Sequence, residues 1–154
     1  MDWLREADDA LTKKRRQEDA QRDAQRLEAQ NFKAQADKIS GMVYRLLNDL
    51  GVFWYGSSWF KSTFVIQIRP VGSWKLGTPR DLIDYGGPDL HNYTSVDLLL
   101  APTPHFNICK HEYSNRDGPE RTQVGTTINT SEAELQRALR EIATDLPRYS
   151  IRKR

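Results

Sequence analysis

One stretch of the sequence, residues 29–50, constrains the fold more than any other. Its apolar residues recur at alternating steps of three and four, which places them along one side of an α-helix. They are Ala29, Phe32, Ala36, Ile39, Val43, Leu46 and Leu50, and Met42 and Leu47 widen the stripe. Gly51 follows and is expected to end the helix in the left-handed conformation. The stretch therefore predicts an amphipathic helix that needs a sheet to cover.

The segment before this stripe is charged and predicted to be helical. Residues 3–28 contain no proline or glycine and are rich in strong helix formers. A helix unbroken from Trp3 to Leu50 would be roughly 70 Å long, and part of it would project from the domain. Residues 1–38 hold nine basic and nine acidic residues, so this predicted arm is neutral. A solvated helix, a helix in a partner's groove and a weak coiled coil remain open, the last using Ala20, Ala24, Leu27 and Ala34.

The beginning of the arm differs from its middle because it carries large apolar residues. Trp3, Leu4, Ala7 and Leu11 fall on one face of the predicted helix. A loosely packed terminus is one interpretation. The other is a docking face with an aromatic anchor, as in helix-in-groove recognition. These four residues are our candidate partner-binding site.

The remainder of the sequence reads as strands between turns. Residues 59–69 alternate as a strand with Phe60, Phe64, Ile66 and Ile68 on one face. Further strands are expected at residues 96–101, 105–113 and 121–128. In the first of them Val96, Leu98 and Leu100 alternate with Asp97 and Leu99. Thr78 and Pro79 predict the start of a short helix, and Ser131 with Glu134 forms a capping-box pattern. The last helix has apolar residues at helical spacing and is expected to end at Pro147. They are Leu135, Leu139, Ile142 and Leu146.

This element order predicts an α+β fold. We expect a long N-terminal helix and an antiparallel sheet of about four to five strands, covered on one face by two amphipathic helices. The predicted organisation is a charged helical arm at residues 1–38, an α+β domain at residues 39–147 and a basic tail at residues 148–154.

Residues 105–111 hold the side chains that most resemble reactive or metal-binding groups. Cys109 and His111 share a strand face, but His105 would have to bend in and His91 would have to join from a loop. No paired metal-ligand motif accompanies them. A Cys109–His111 nucleophile backed by Asp97 lacks an evident oxyanion hole. We therefore predict no metal, no cofactor and no catalytic residue, although a small enzyme centred on His105, Cys109 and His111 stays as a second alternative.

Two other patterns have ordinary explanations. The Gly86-Gly87-Pro88 turn lacks the Gly and Lys spacing of a phosphate-binding loop. Asp81 and Asp84 are expected on the exposed side of a short helix, where solvation explains them.

Charge and composition exclude several classes of protein. The net charge of +2 is too close to balance to indicate nucleic acid by itself. The single cysteine excludes an internal disulfide and suits a reducing compartment. No run approaches the ~20 apolar residues of a membrane span, and no signal-peptide core is evident. The sequence therefore predicts a soluble cytoplasmic protein without membrane contact.

The function we predict is a non-enzymatic assembly subunit. It would dock to a larger protein complex, or associate with a second copy, through its N-terminal helix. The alternative is a nucleic-acid-associated protein. Its contacts would come from two basic clusters, Lys13, Lys14, Arg15 and Arg16 in the arm and Arg148, Arg152, Lys153 and Arg154 in the tail.

Overall fold

The computed structural model of the chain describes residues 2–59, 62–83, 93–114 and 120–144. Within them lie three helices, α1 (Asp2–Tyr55), α2 (Pro79–Ile83) and α3 (Glu132–Thr144). The strands are β1 (Val65–Ile68), β2 (Ser73–Gly77), β3 (Tyr93–Leu100), β4 (His105–Ser114) and β5 (Glu120–Asn129). They form one antiparallel sheet in the order β1-β2-β3-β4-β5. The predicted α+β fold with a long N-terminal helix is confirmed.

The chain divides into two compact units, an N-terminal unit (Met1–Gln35) and a C-terminal unit (Ala36–Arg154). In the N-terminal unit α1 is helical because no proline or glycine interrupts it. Exposed ion pairs join Arg22 to Asp19 at 3.9 Å and Arg26 to Asp23 at 3.7 Å. Such exposed pairs contribute little, so helix propensity is the main local cause of the helix.

The C-terminal unit has its core on one face of the sheet, here called the inner face. In the register of the sheet, Trp74 lies opposite Leu98, which lies opposite Ile108. These side chains are almost fully buried, together with Leu76, Val96, Leu100 and Phe106. The alternation predicted for β3 is confirmed because Leu99, on the other face, is exposed. We call that other side the outer face.

Two amphipathic helices meet over the inner face, as predicted. The Trp54 indole of α1 donates a hydrogen bond to the carbonyl oxygen of Ala143 in α3, at 3.3 Å. The Lys110 ammonium of β4 lies 5.7 Å from the centre of the Trp54 ring. An ion pair between Arg45 and Glu132 joins the beginning of α3 to α1. Trp54 therefore links α1, α3 and the sheet.

Among the apolar residues at helical spacing in residues 29–50, burial begins at Ala36. Val43, Leu46, Leu47 and Leu50 are buried, whereas Ala29 is exposed. No helix among the described residues is long and apolar enough to span a membrane.

The predicted end of α1 at Gly51 is wrong. The helix continues to Tyr55 and ends at Gly56, whose φ of 74° is left-handed. Gly51 is buried inside the helix because the ring of Phe64 lies where a side chain would project. Trp54 and Tyr55 are each only 2% exposed, so core packing extends the helix past the glycine.

Gly51 and Gly41 allow a matched test of this packing. A Cβ at Gly51 would stand 2.5 Å from the Phe64 ring, whereas a Cβ at Gly41 meets nothing within 4 Å. We expect Gly41→Ala to raise the free energy of unfolding by up to about 1 kcal/mol. Gly51→Ala should lower it, because overpacking costs roughly 1–3 kcal/mol. Urea denaturation measures the free energy of unfolding of both variants. Equal increases in that free energy would contradict the close contact between Gly51 and Phe64.

The strand predicted at residues 59–69 is mostly wrong. Only Val65–Ile68 is strand, Trp59 is 95% exposed and not in the strand, and residues 60–61 lie outside the described part. Ile68 is exposed rather than buried. The apolar residues do alternate in sequence, but β1 lies at the edge of the sheet and pairs only with β2 among the described strands. An edge strand of four residues buries few of its side chains.

The predicted helix caps are confirmed for α2 and α3. The Thr78 hydroxyl accepts from the Asp81 amide at 3.2 Å, and the Ser131 hydroxyl accepts from the Glu134 amide at 3.2 Å. The Glu134 carboxylate accepts from the amide of Asn129 rather than from Ser131, so the reciprocal bond reaches back into β5. Leu135 and Leu139 of α3 are buried, while Leu146 and Pro147 lie outside the described residues.

Candidate functional site

The apolar residues near the beginning of α1 are exposed. Trp3 is 69% exposed, Leu4 44% and Leu11 46%, and Ala7 between them is also exposed. At 3.6 residues per turn these four positions occupy an arc of about 100°. We call them the apolar stripe. It is a one-sided apolar surface on a charged stretch of α1.

The charges beside the apolar stripe are unevenly distributed along the helix. Residues 2–9 contain four acidic residues and one basic residue, a net charge of −3. Lys13, Lys14, Arg15 and Arg16 follow, and all four are exposed. The stripe is therefore set in an acidic stretch that precedes a basic one. The other predicted basic cluster, Arg148, Arg152, Lys153 and Arg154, lies outside the described residues.

The outer face of the sheet brings some of the candidate reactive residues together. The Nε2 atom of His111 lies 2.9 Å from a carboxylate oxygen of Asp97. Cys109 stands opposite Asp97 in the sheet register. His105 is on the same face but four residues along the strand, about 13 Å from Cys109. His105, Cys109 and His111 therefore do not converge on one point.

Within the described residues, no group of three or more His, Cys, Asp and Glu is placed to hold a metal ion. His91 lies outside the described residues. On the outer face Asp97 has two basic neighbours, since the Lys75 ammonium lies 3.9 Å from its other carboxylate oxygen. The row from Lys75 through Asp97 to His111 is thus a partly exposed polar network.

A second polar cluster lies on the inner face, and it is almost completely buried. The Lys110 ammonium and a Glu112 carboxylate oxygen are 3.3 Å apart, and their side chains are only 5% and 9% exposed. Glu112 stands opposite Thr94, which is also buried. Burying charges is expensive unless they are paired, so this pair constrains how α1 and the sheet pack.

The prediction that Asp81 is solvated is wrong. Asp81 is 2% exposed, and its carboxylate accepts a hydrogen bond of 3.4 Å from the Thr94 amide. The Asp81 amide donates to the Thr78 hydroxyl, while the Asp81 carboxylate lies against β3 at Thr94. Burial, with the nearby Asp81 charge second, raises the pKa of the Tyr55 hydroxyl far above its ordinary value. Asp84, the other half of that prediction, lies outside the described residues.

Sequence reasoning missed the buried pair although a signal was present. Alternate positions along β4 lie on the same face of the sheet, and they hold Phe106, Ile108, Lys110 and Glu112. Because Phe106 and Ile108 are apolar, the alternation implies that Lys110 and Glu112 also face inward. Lys and Glu are rarely buried, so their residue type alone favours the opposite face.

No known protein family, curated protein or solved structure matches the chain.

Proposed function

We propose that this protein is a non-enzymatic assembly subunit that docks through the apolar stripe of α1 into a groove of another protein. The observation that carries the proposal is the exposure of Trp3, Leu4 and Leu11 on one side of a charged helix. Single exposed apolar residues are common on protein surfaces, but a tryptophan and two leucines on one helical face form a contiguous patch.

The composition of the stripe suits helix-in-groove recognition. Anchors on such helices recur at spacings of three, four and seven residues, and Leu4, Ala7 and Leu11 have that spacing. Tryptophan is the residue type most enriched among side chains that dominate binding energy. The small side chain of Ala7 leaves space at the middle of this face, so Trp3, Leu4 and Leu11 can insert into pockets of a partner.

The charges around the stripe specify the chemistry of the partner. Because residues 2–9 carry a net charge of −3, the matching groove is apolar with basic side chains along its rim. Such rim charges mainly accelerate association, so we expect the association rate to fall as salt is added.

A pair of full-length variants tests the proposal. The stripe variant combines Trp3→Ala, Leu4→Ala and Leu11→Ala. The control variant combines Arg16→Ala and Asp23→Ala, which lie on the opposite side of the helix, outside the acidic residues 2–9, and leave the net charge unchanged. Alanine keeps helix propensity high in both. Proteins that co-purify from the native host would be identified, and their binding to each purified variant measured.

The stripe variant should bind the identified partner at least about 30-fold more weakly. Truncating even one anchor residue costs about 2 kcal/mol or more of binding free energy. The control should bind like the unmodified chain. Equal binding by both variants would refute the proposal. If instead the stripe variant loses only self-association, the groove belongs to a second copy of the chain.

A further inference from the structure

The two edges of the sheet differ in how well they are protected. β1 has four residues and is followed closely by Pro70. β5 has ten residues, contains neither proline nor lysine, and pairs only with β4 among the described strands. Natural proteins usually protect long edges with those residues, with bulges or with a covering element. Gly125, Thr126 and Thr127 at the centre of β5 are exposed.

The outward-facing backbone groups of β5 follow from the alternation of the ladder. The Ala101 amide donates to the His105 carbonyl at 2.9 Å, so the odd-numbered residues of β4 point their backbone groups toward β3. Their partners on β5 are also odd-numbered and therefore point away from β4. Consistently, the outward amide of Asn129 donates to Glu134. The amides of residues 121, 123, 125 and 127 thus face outward.

We propose that β5 pairs antiparallel with β5 of a second copy, about a twofold axis at Gly125, to form a continuous ten-stranded sheet. Odd-numbered residues present the outward groups, so an axis at an odd-numbered residue makes that residue hydrogen-bond with its own copy. Gly125 is the choice that overlaps nearly the whole strand. Gln123 then pairs with Thr127, and Arg121 with Asn129. Gln123 and Thr127 form a hydrogen-bonded pair across the interface. Asn129 offers only its carbonyl oxygen to Arg121, because its amide donates to Glu134.

A second copy suits this edge better than an unrelated peptide because the strand is complementary to itself. β5 has one acidic and one basic residue, Glu120 and Arg121, and the proposed register brings neither opposite a like charge. Two further pairs in this register join β-branched residue types, with Val124 opposite Thr126 and Thr122 opposite Ile128. Thr126 is exposed in the single chain, so the pairing would bury it.

Gly125 itself is explained by this pairing. A Cβ there would meet the Ile108 carbonyl oxygen at 3.7 Å and the Cys109 Sγ at 4.0 Å, which are ordinary contacts. The described part of the chain's own fold therefore does not require glycine, although glycine weakens a strand. Glycine within a strand often marks a place where another backbone approaches closely. At the axis, the two Gly125 residues would face each other.

Cysteine substitution tests the register. In a Cys109→Ser background, which removes the chain's single cysteine, Gly125→Cys places two thiols on Cα atoms about 5.5 Å apart across the axis. That separation lies within the range that a disulfide spans. Thr127→Cys is the matched control, because its Cα atoms would be about 14 Å apart. Mild oxidation should yield a covalent dimer only with Gly125→Cys. Dimers from both variants, or from neither, would overturn the proposed pairing.

Charge substitution tests the dimer itself by sedimentation of the full chain. Gly125→Lys and Gly125→Glu each place like charges at the axis, so each variant should dissociate at several-fold higher concentration than the unmodified chain. An equimolar mixture of the two should recover the dimer. The stripe variant should remain dimeric, because this interface is independent of the proposed docking helix. A monomeric unmodified chain, or a mixture that stays dissociated, would refute the proposal.

Discussion

Replacing Trp54 by alanine is expected to lower the free energy of unfolding of the C-terminal unit by about 3–5 kcal/mol. The side chain is 2% exposed and packs edge-to-face on Tyr55, with ring centres 6.1 Å apart. It also supplies the hydrogen bond to Ala143 and the ring beneath Lys110. One substitution would therefore open a cavity where α1, α3 and the sheet meet.

The neighbouring aromatic residue provides the control for this prediction. Phe53 is 47% exposed, and it lines the cleft between α1 and α3 with Leu50 and Leu139. Its replacement by alanine should reduce stability by only about 1 kcal/mol, since less apolar area is lost from the core. Urea denaturation followed by far-UV circular dichroism measures both variants. Similar losses for Trp54→Ala and Phe53→Ala would show that Trp54 does not connect the three elements.

Replacing Lys110 by methionine should lower stability by about 3–5 kcal/mol, because it removes the ammonium that lies 3.3 Å from the buried Glu112 carboxylate. The matched control is Lys75→Met on the outer face. Lys75 lies 3.9 Å from Asp97, but its side chain is 42% exposed, so that substitution should change stability by at most about 1 kcal/mol. The same chemical change thus separates a buried pair from a surface pair.

A double-mutant cycle isolates the interaction between Lys110 and Glu112. Glu112→Gln alone should also destabilise, since it removes the negative charge that faces the buried ammonium. The double variant should lose less stability than the sum of the two single losses, with a coupling of at least about 1 kcal/mol. Strict additivity, read from the same urea transitions, would mean that the two charges are stabilised separately.

Much of the fold was predictable because its elements obey simple periods. The steps of three and four along residues 36–50 predicted the packed part of α1, and Val96, Leu98 and Leu100 predicted the buried side of β3. The caps at Thr78 and Ser131 depend on local hydrogen bonds and were predicted correctly. In these places local sequence and tertiary packing favour the same structure.

The predictions that failed depend on contacts distant in sequence. Gly51 resembles a helix end, yet the Phe64 ring occupies the space beside it, and the helix continues. Asp81 resembles a surface residue until the Thr94 amide, thirteen residues away, is placed against its carboxylate. Ile68 alternates like a core residue but lies on an edge strand. Neither period nor propensity contains such information.

The candidate site was accessible to sequence reasoning only in part. A one-sided placement of Trp3, Leu4 and Leu11 follows from helical spacing alone. Exposure does not, since the same residues would be buried if other parts of a chain covered them. The outward backbone groups of β5 could not have been inferred, because they depend on which strand lies at the edge.

Site-specific photo-crosslinking tests the docking claim most directly. A photoreactive phenylalanine analogue at position 3 replaces one aromatic ring by another within the apolar stripe, and the same analogue at position 9 lies on the opposite side of α1. In cells of the native host, we expect position 3 to crosslink to one partner through residues of an apolar groove with a basic rim. Position 9 should give no such product. The same crosslinks from both positions, or none from position 3, would contradict the account.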